Sequence, residues 1–167
     1  AVIDPVTFEP WGTYAIVEGV EVNPDHQFGN GNNGDACRTR VEYNFNFHTD
    51  VPSELAGLES MIDTAVPVGY HLVFFTWLHL DKDGMTNNAS SLMPALESLC
   101  SPDLDFSALP DSVPYIFYVR KGYPGSFVDT VGTLLTDHVS LSAWVESVHD
   151  QGVITTMDAG PATAWHG

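Results

Sequence analysis

The residues best suited to chemistry are oxygen ligands in an acidic turn, and that chemistry is the binding of a hard cation such as calcium. Asp81-Lys82-Asp83-Gly84 matches the start of a D-x-D-G calcium turn, and Asn87 follows it closely. Ca²⁺ takes carboxylate and amide oxygens, so Asp81, Asp83 and Asn87 are candidate ligands. The remainder of a D-x-D-x-D-G-x5-E calcium loop is missing from this stretch. Turn-forming chemistry also explains the same residues without any ion.

Motifs for catalysis are scarce. The sequence has no G-x-S-x-G nucleophile elbow, and its seven histidines never occur as H-x-x-x-H or H-E-x-x-H. The glycine-rich stretch from Gly29 to Gly34 lacks the Lys of a phosphate-binding loop. We therefore expect neither an enzyme nor a resident cofactor, calcium being the one possible exception.

The two cysteines leave two alternatives open. Cys37 and Cys100 are too far apart in sequence for a zinc knuckle or a CxxC redox pair. They form either one disulfide or two inert buried thiols.

Composition limits the class of partner. The chain has 167 residues, of which 44% are hydrophobic, enough for one packed core. The formal net charge of −17 repels nucleic acids and anionic membrane surfaces, and suits an extracellular location or cation binding. The longest apolar run, residues 72–80, is interrupted by Thr76 and His79 and is far shorter than the ~20 residues of a spanning helix. We expect neither nucleic-acid binding nor membrane insertion.

The N-terminal stretch predicts a connection to other domains. Asp4-Pro5 is typical of an interdomain linker, so we interpret residues 1–12 as a linker or N-terminal extension. Residues 13–167 then form one β-rich domain within a longer protein, with its neighbouring domains as partners.

Periodicity predicts a mixed architecture. Strands are predicted at 13–21, 38–48, 70–80, 115–119, 141–148 and 153–157, and helices at 53–65 and 87–100. The stretch at 141–148 is equally compatible with a turn of helix. The run at 70–80 is nearly all hydrophobic, which favours a central strand covered on both faces, with Trp77 buried in it. We expect an α+β fold with β-sandwich-like antiparallel sheets and two short helices packed at one side. Trp11 and Trp165, near the ends, are expected to be accessible.

Several of these features, in this order, resemble a known family. Pro67-Val68-Gly69 follows the first helix, the acidic turn at 81–84 follows the hydrophobic strand, and a later strand ends on Lys121-Gly122. The order resembles the ILEI/PANDER-like (interleukin-like EMT inducer) domain, an extracellular β-sandwich-like fold with short helices. It is similar, too, to a module of surface proteins handled by the type IX secretion system of Bacteroidetes.

The resemblance implies glycan binding. In one family member, the stem domain of a Golgi glycosyltransferase, an Asp after the hydrophobic strand and an Arg before the next strand bind the glycan. Asp81 or Asp83 matches the Asp, whereas Leu109-Pro110-Asp111-Ser112 stands where the Arg belongs. Arg120, with Lys121 beside it, is then the substitute, although a local ion pair is an alternative role for it.

Together these points predict a non-catalytic accessory domain of a larger bacterial surface or secreted protein, binding a glycan or a surface protein. A structural spacer without a ligand is the alternative, and a hydrolase-type enzyme is the third. A binding domain should expose an aromatic side chain beside Asp81, Asp83 or Arg120, whereas a spacer should not.

Overall fold

A computed structural model describes residues 1–13, 15–18, 20–22, 28–29, 43–101, 104–146 and 151–155. Its strands are β1 (Val2–Ile3), β2 (Ala15–Val17), β3 (Val20–Val22), β4 (His71–Phe75), β5 (Tyr115–Arg120), β6 (Tyr123–Val131), β7 (Ser142–Glu146) and β8 (Gln151–Thr155). Its helices are α1 (Pro52–Ser60), α2 (Lys82–Asn88) and α3 (Leu92–Leu99), with a π-helical turn at Met61–Ala65 and a 3₁₀ turn at Phe106–Ala108. The fold class is α+β, as predicted.

The main sheet has four antiparallel strands in the order β1-β4-β5-β6. β2 pairs with β3, and β7 pairs with β8, each as a separate two-stranded antiparallel sheet. No second large sheet is seen among the described residues, so a sandwich of two full sheets is not confirmed.

The helices begin and end where local chemistry places them. Pro52 opens α1, where its fixed φ suits a helix and its missing N–H needs no partner. Pro94 lies in the first turn of α3 for the same reason, and it leaves the buried stripe of Leu92, Leu96 and Leu99 intact. The predicted helix at 53–65 corresponds to α1 and the π-helical turn that extends it.

Both faces of β5, a central strand of the main sheet, are covered. On β5, Tyr115, Phe117 and Val119 pack into the core formed with the helices. The intervening Ile116 and Tyr118 belong to a second cluster on the opposite face. That face is covered by the segment around β7, through Val139, Leu141, Ala143 and Val145. β5 is therefore buried on both sides, like a strand of a three-layer structure.

The N-terminal residues belong to the sheet. Val2 pairs with Leu72 and Ile3 with His71, and the Val2 side chain is fully buried. Residues 1–12, expected to be a linker or N-terminal extension, thus contribute a short edge strand at Val2–Ile3, where an apolar pair completes the edge of the sheet.

Other predicted elements differ in extent. The strand predicted at 70–80 ends at Phe75, and Trp77, expected in the core, is 44% exposed. The predicted strand at 38–48 is wrong for residues 43–48, which form no strand, and residues 38–42 lie outside the described part. β6 was not predicted, since Pro124-Gly125 is typical of a turn. None of the described helices combines the length and apolarity needed to cross a membrane.

Candidate functional site

Asp81, the first candidate ligand, is engaged within the fold. It is the N-cap of α2, and its Oδ1 accepts a hydrogen bond from the Gly84 N–H at 2.9 Å. Its Oδ2 accepts one from the Thr49 hydroxyl. A Cβ at Gly84 would lie 2.1 Å from Asp81 Oδ2, so the carboxylate fills the space that glycine leaves. Asp81 thus ties the start of α2 to the chain before α1.

The two other calcium candidates lie on α2. Asp83 and Asn87 are exposed, one in the first turn of the helix and one near its end. Neighbouring Asn88 donates from its side chain to the Thr49 carbonyl at 2.8 Å, a second tie to the same loop. Among the described residues, no three His, Cys, Asp or Glu side chains come together as a metal-holding group. The predicted acidic turn is therefore a capped helix start.

Lys121 is also engaged within the fold. Its ammonium donates to the carbonyls of Ile62, Asp63 and Val66, the last two at 3.1 and 2.8 Å. These carbonyls belong to the π-helical turn that ends the first helical segment, where backbone acceptors lack helical partners. Partial burial lowers the pKa of Lys121. The side chain clamps the turn between β5 and β6 onto the helical layer.

Arg120, at the end of β5, is held but not saturated. Its backbone N–H donates to the Ser126 hydroxyl at 2.7 Å, and its Nε donates to the Gly69 carbonyl at 3.0 Å. Within the described chain, neither terminal nitrogen of the guanidinium has a hydrogen-bond or ion-pair partner. The group is only partly buried, so these donors remain open to a ligand.

Tyr123, at the start of β6, stands beside this guanidinium. Arg120 Cζ lies 4.4 Å from the centre of the Tyr123 ring, a cation–π arrangement. The antiparallel register pairs Arg120 with Tyr123 across the turn, which places the two side chains on one face. Tyr123 is 50% exposed, so much of the ring remains accessible.

Val68 completes the surface. Its side chain is 71% exposed and lies against Gly122, where a Cβ would come within 2.7 Å of Val68 Cγ1. Gly122 has φ +83, a left-handed conformation that favours glycine in the tight turn. Val68, Arg120 and Tyr123 together are called the hairpin surface below.

The sequence predicted one member of this surface and missed two. Arg120 was singled out as a basic residue, whereas Tyr123 and Val68 were not. The available signal was Lys121-Gly122, a turn between two strand-forming stretches. Such a turn brings the residues on either side of it together.

The segment from Leu109 to Ser112, where the resemblance predicted an Arg, contacts the start of α2. Asp111 Oδ1 accepts from the Lys82 backbone N–H at 2.9 Å. The Lys82 ammonium donates to the carbonyls of Ser107 and Leu109 at 2.9 and 2.7 Å. This arrangement closes the loop around residues 107–111 and engages the Lys82 ammonium.

The sequence left open whether the cysteines form a disulfide or remain buried thiols, and Cys100 is a free thiol. The side chain is buried in the helical core, and burial raises its pKa to about 12. Cys37 lies outside the described residues.

One buried polar group has no assigned role. His71 is fully buried, its Nδ1 lies 2.8 Å from the Tyr118 hydroxyl, and its ring stacks on Phe8. Its Nε2 has no hydrogen-bond partner among the residues that the structure describes. Burial, together with the positive charge of Arg120, lowers the pKa of His71 and keeps the imidazole neutral.

Comparisons with protein families, curated proteins and solved structures found no match to this chain.

Proposed function

We propose that the chain is a non-catalytic accessory domain that binds a glycan through the hairpin surface. The single observation that carries this proposal is the half-exposed Tyr123 ring beside the open guanidinium donors of Arg120. This is the pairing expected of a binding domain and not of a spacer.

The chemistry of the surface suits a sugar. One face of a pyranose ring is lined by C–H groups, which pack on an aromatic ring and exclude water from it. Hydroxyl or carboxylate oxygens at the edge of the sugar can accept hydrogen bonds from the Arg120 terminal nitrogens, and charge strengthens such bonds. Val68 extends the apolar contact beyond the tyrosine.

The site is rigid before any ligand arrives. Arg120 is fixed by the Gly69 carbonyl and by Tyr123, and Lys121 clamps the same turn to the helical layer. A preorganised site loses less conformational entropy on binding, which favours affinity for a small ligand. Asp81 and Lys121 thus support the fold, and Arg120 is the predicted ligand group that retains free donors.

An extracellular setting fits this activity. The net charge of −17 opposes binding to polyanions inside the cell, and the resemblance to ILEI/PANDER-like domains implies a secreted or surface protein. In such a protein the domain acts beside neighbouring domains of the same chain.

A glycan-array screen tests the proposal with four proteins: the wild type, Tyr123→Ala, Arg120→Met and Trp144→Ala. Trp144 is the matched control, because it is an aromatic side chain that is 78% exposed, lies on β7 and is not one of the three residues of the hairpin surface. We expect hits that fall about tenfold or more in affinity in the first two variants and persist in the control. A blank array with the wild type contradicts glycan binding and favours the spacer.

The same screen, repeated with calcium and with EDTA, addresses the acidic turn. Signals that are equal in both buffers assign binding to the hairpin surface alone. If the signals require calcium and are lost in Asp83→Ala, the glycan-binding site lies on α2, and the proposed contact with Tyr123 is refuted.

A further inference from the structure

The opposite end of the main sheet exposes an unusual number of large apolar side chains. In an antiparallel sheet the end of β4, the start of β5 and the end of β6 lie together. The loops that follow β4 and β6 there carry Trp77, Leu78, Leu134 and Leu135, each between 44% and 62% exposed. These four residues are called the apolar end.

The register brings the two loops close to each other. The Thr76 N–H donates to the Tyr115 carbonyl at 2.9 Å, while Val131 pairs with Tyr115 from the other side. Adjacent strands are about 4.8 Å apart, so the bases of the two loops are separated by roughly 10 Å. One partner segment can therefore contact both loops.

The first loop holds its apolar side chains outside the sheet. Pairing with the β5 side resumes at Leu80, whose N–H donates to the Val113 carbonyl at 2.7 Å. The three residues between Thr76 and Leu80 form an excursion in which Leu78 has φ +76. A left-handed backbone is costly for leucine, and such strain clusters at functional sites.

The second loop is also fixed. Asp137 Oδ2 accepts hydrogen bonds from the backbone N–H groups of Thr133 and Leu134 at 2.8 and 2.9 Å. These bonds hold Leu134 and Leu135 on an ordered turn. Neighbouring ordered loops that expose large apolar side chains are typical of protein interaction surfaces.

Charge around the apolar end selects the partner. Asp83 and Asp111 are exposed, and Asp137 is half-buried, on the segments that adjoin the two loops. Hydrogen bonds from Ser112 and from the Leu134 N–H lower the pKa of Asp111 and Asp137, respectively, which keeps both ionised. The one lysine in this region is Lys82, and its ammonium donates hydrogen bonds to the carbonyls of Ser107 and Leu109. An acidic rim around an apolar centre complements a basic partner with apolar side chains.

We propose that the apolar end is a docking surface for a protein partner, which it engages through a basic amphipathic segment. This surface is separate from the glycan site, because the hairpin surface lies at the other end of β5. The apolar side chains of the partner contact Trp77, Leu78 and the leucine pair, and its basic groups face the aspartates.

The test uses the whole chain and a fluorescent helical peptide built only of lysine and leucine, followed by fluorescence anisotropy. We expect saturable binding that Leu134→Ser/Leu135→Ser weakens about tenfold or more, whereas Trp144→Ser changes it less than about twofold. Both leucines are exposed in a turn held by Asp137, so this variant keeps its fold. Trp77→Ser, in the other loop, should weaken binding as well.

Three outcomes would overturn the proposal: no binding to the wild type, unchanged affinity of both the leucine and the Trp77 variants, or equal losses in Trp144→Ser. The last would mean that the peptide binds by charge alone, anywhere on an acidic surface. High salt should weaken binding of the wild type without abolishing it, since an apolar contribution remains.

Discussion

Removing the Lys121 ammonium should destabilise the fold. In Lys121→Met three carbonyls lose their donor, and Ile62 and Val66, which supply two of them, are buried. Methionine keeps the length and apolar character of the stem, so the change isolates the charged head.

The magnitude follows from the contacts. Hydrogen bonds to a charged group contribute about 1.5–3 kcal/mol each, but the three share one partly exposed ammonium. Immobilising a lysine side chain costs about 2 kcal/mol, which the variant regains. A net loss of about 2 kcal/mol results, or about 4–8 °C in melting temperature for a chain of this size.

Urea unfolding and thermal melts followed by circular dichroism measure this loss, with Asp63→Asn as the matched control. Asp63 attracts the Lys121 charge but supplies only its backbone carbonyl as an acceptor, so the control should change stability by less than about 0.5 kcal/mol. Stabilisation by the Lys121 ammonium would be refuted if Lys121→Met lowered the free energy of unfolding by less than about 0.5 kcal/mol, or if Asp63→Asn lowered it by a comparable amount.

Three further predictions concern single side chains. Asp81→Ala removes the N-cap of α2 and should lower the free energy of unfolding by about 1–2 kcal/mol, equally in calcium and in EDTA. Asp83 is exposed, so Asp83→Ala should have no measurable effect in thermal melts. Cys100 should not react with Ellman's reagent in the native protein and should react after unfolding in urea, because its thiol is buried and its pKa is raised to about 12. The pKa of His71 is lowered in the folded state, so below about pH 6.5 the unfolded chain binds more protons than the folded chain. The free energy of unfolding should therefore decrease as the pH falls below this value, and it should decrease less in His71→Leu. Urea unfolding at several pH values measures both.

The fold class and the first helix could be predicted because local signals agree with tertiary packing, whereas the helix predicted at 87–100 is two separate helices, α2 and α3. Leu55 and Leu58 repeat at helical spacing, and Pro52 precedes them at a position that opens a helix. The alternation in residues 43–48 is equally regular, yet no strand forms there. A strand requires a partner at the right register, and alternation does not supply one.

Two errors have a common cause in topology. Trp77 belongs to a hydrophobic run and would be buried if the strand continued, but β4 ends at Phe75 and the chain then leaves the sheet. Residues 81–84 have turn composition, and Asp81 uses that chemistry to cap a helix instead. Composition alone does not distinguish a cap from a turn, since both need the same side-chain acceptor.

The candidate site was only partly predictable. Arg120 and Lys121 are adjacent in sequence and chemically alike, yet one keeps open donors and the other caps a helical turn. Alternating strand geometry directs the two side chains into different surroundings. The partners there are distant in sequence: the Gly69 carbonyl is 51 positions from Arg120, and the Ile62 carbonyl is 59 positions from Lys121.

A nuclear magnetic resonance titration shows most directly whether the hairpin surface binds a glycan. The ¹⁵N-labelled chain is titrated with the strongest array hit, and backbone amide shifts are followed residue by residue. We expect saturable shifts centred on Gly69, Arg120, Gly122 and Tyr123, which vanish in Tyr123→Ala. Shifts centred on α2 or on the loop after β4, or no shifts at all, would contradict it.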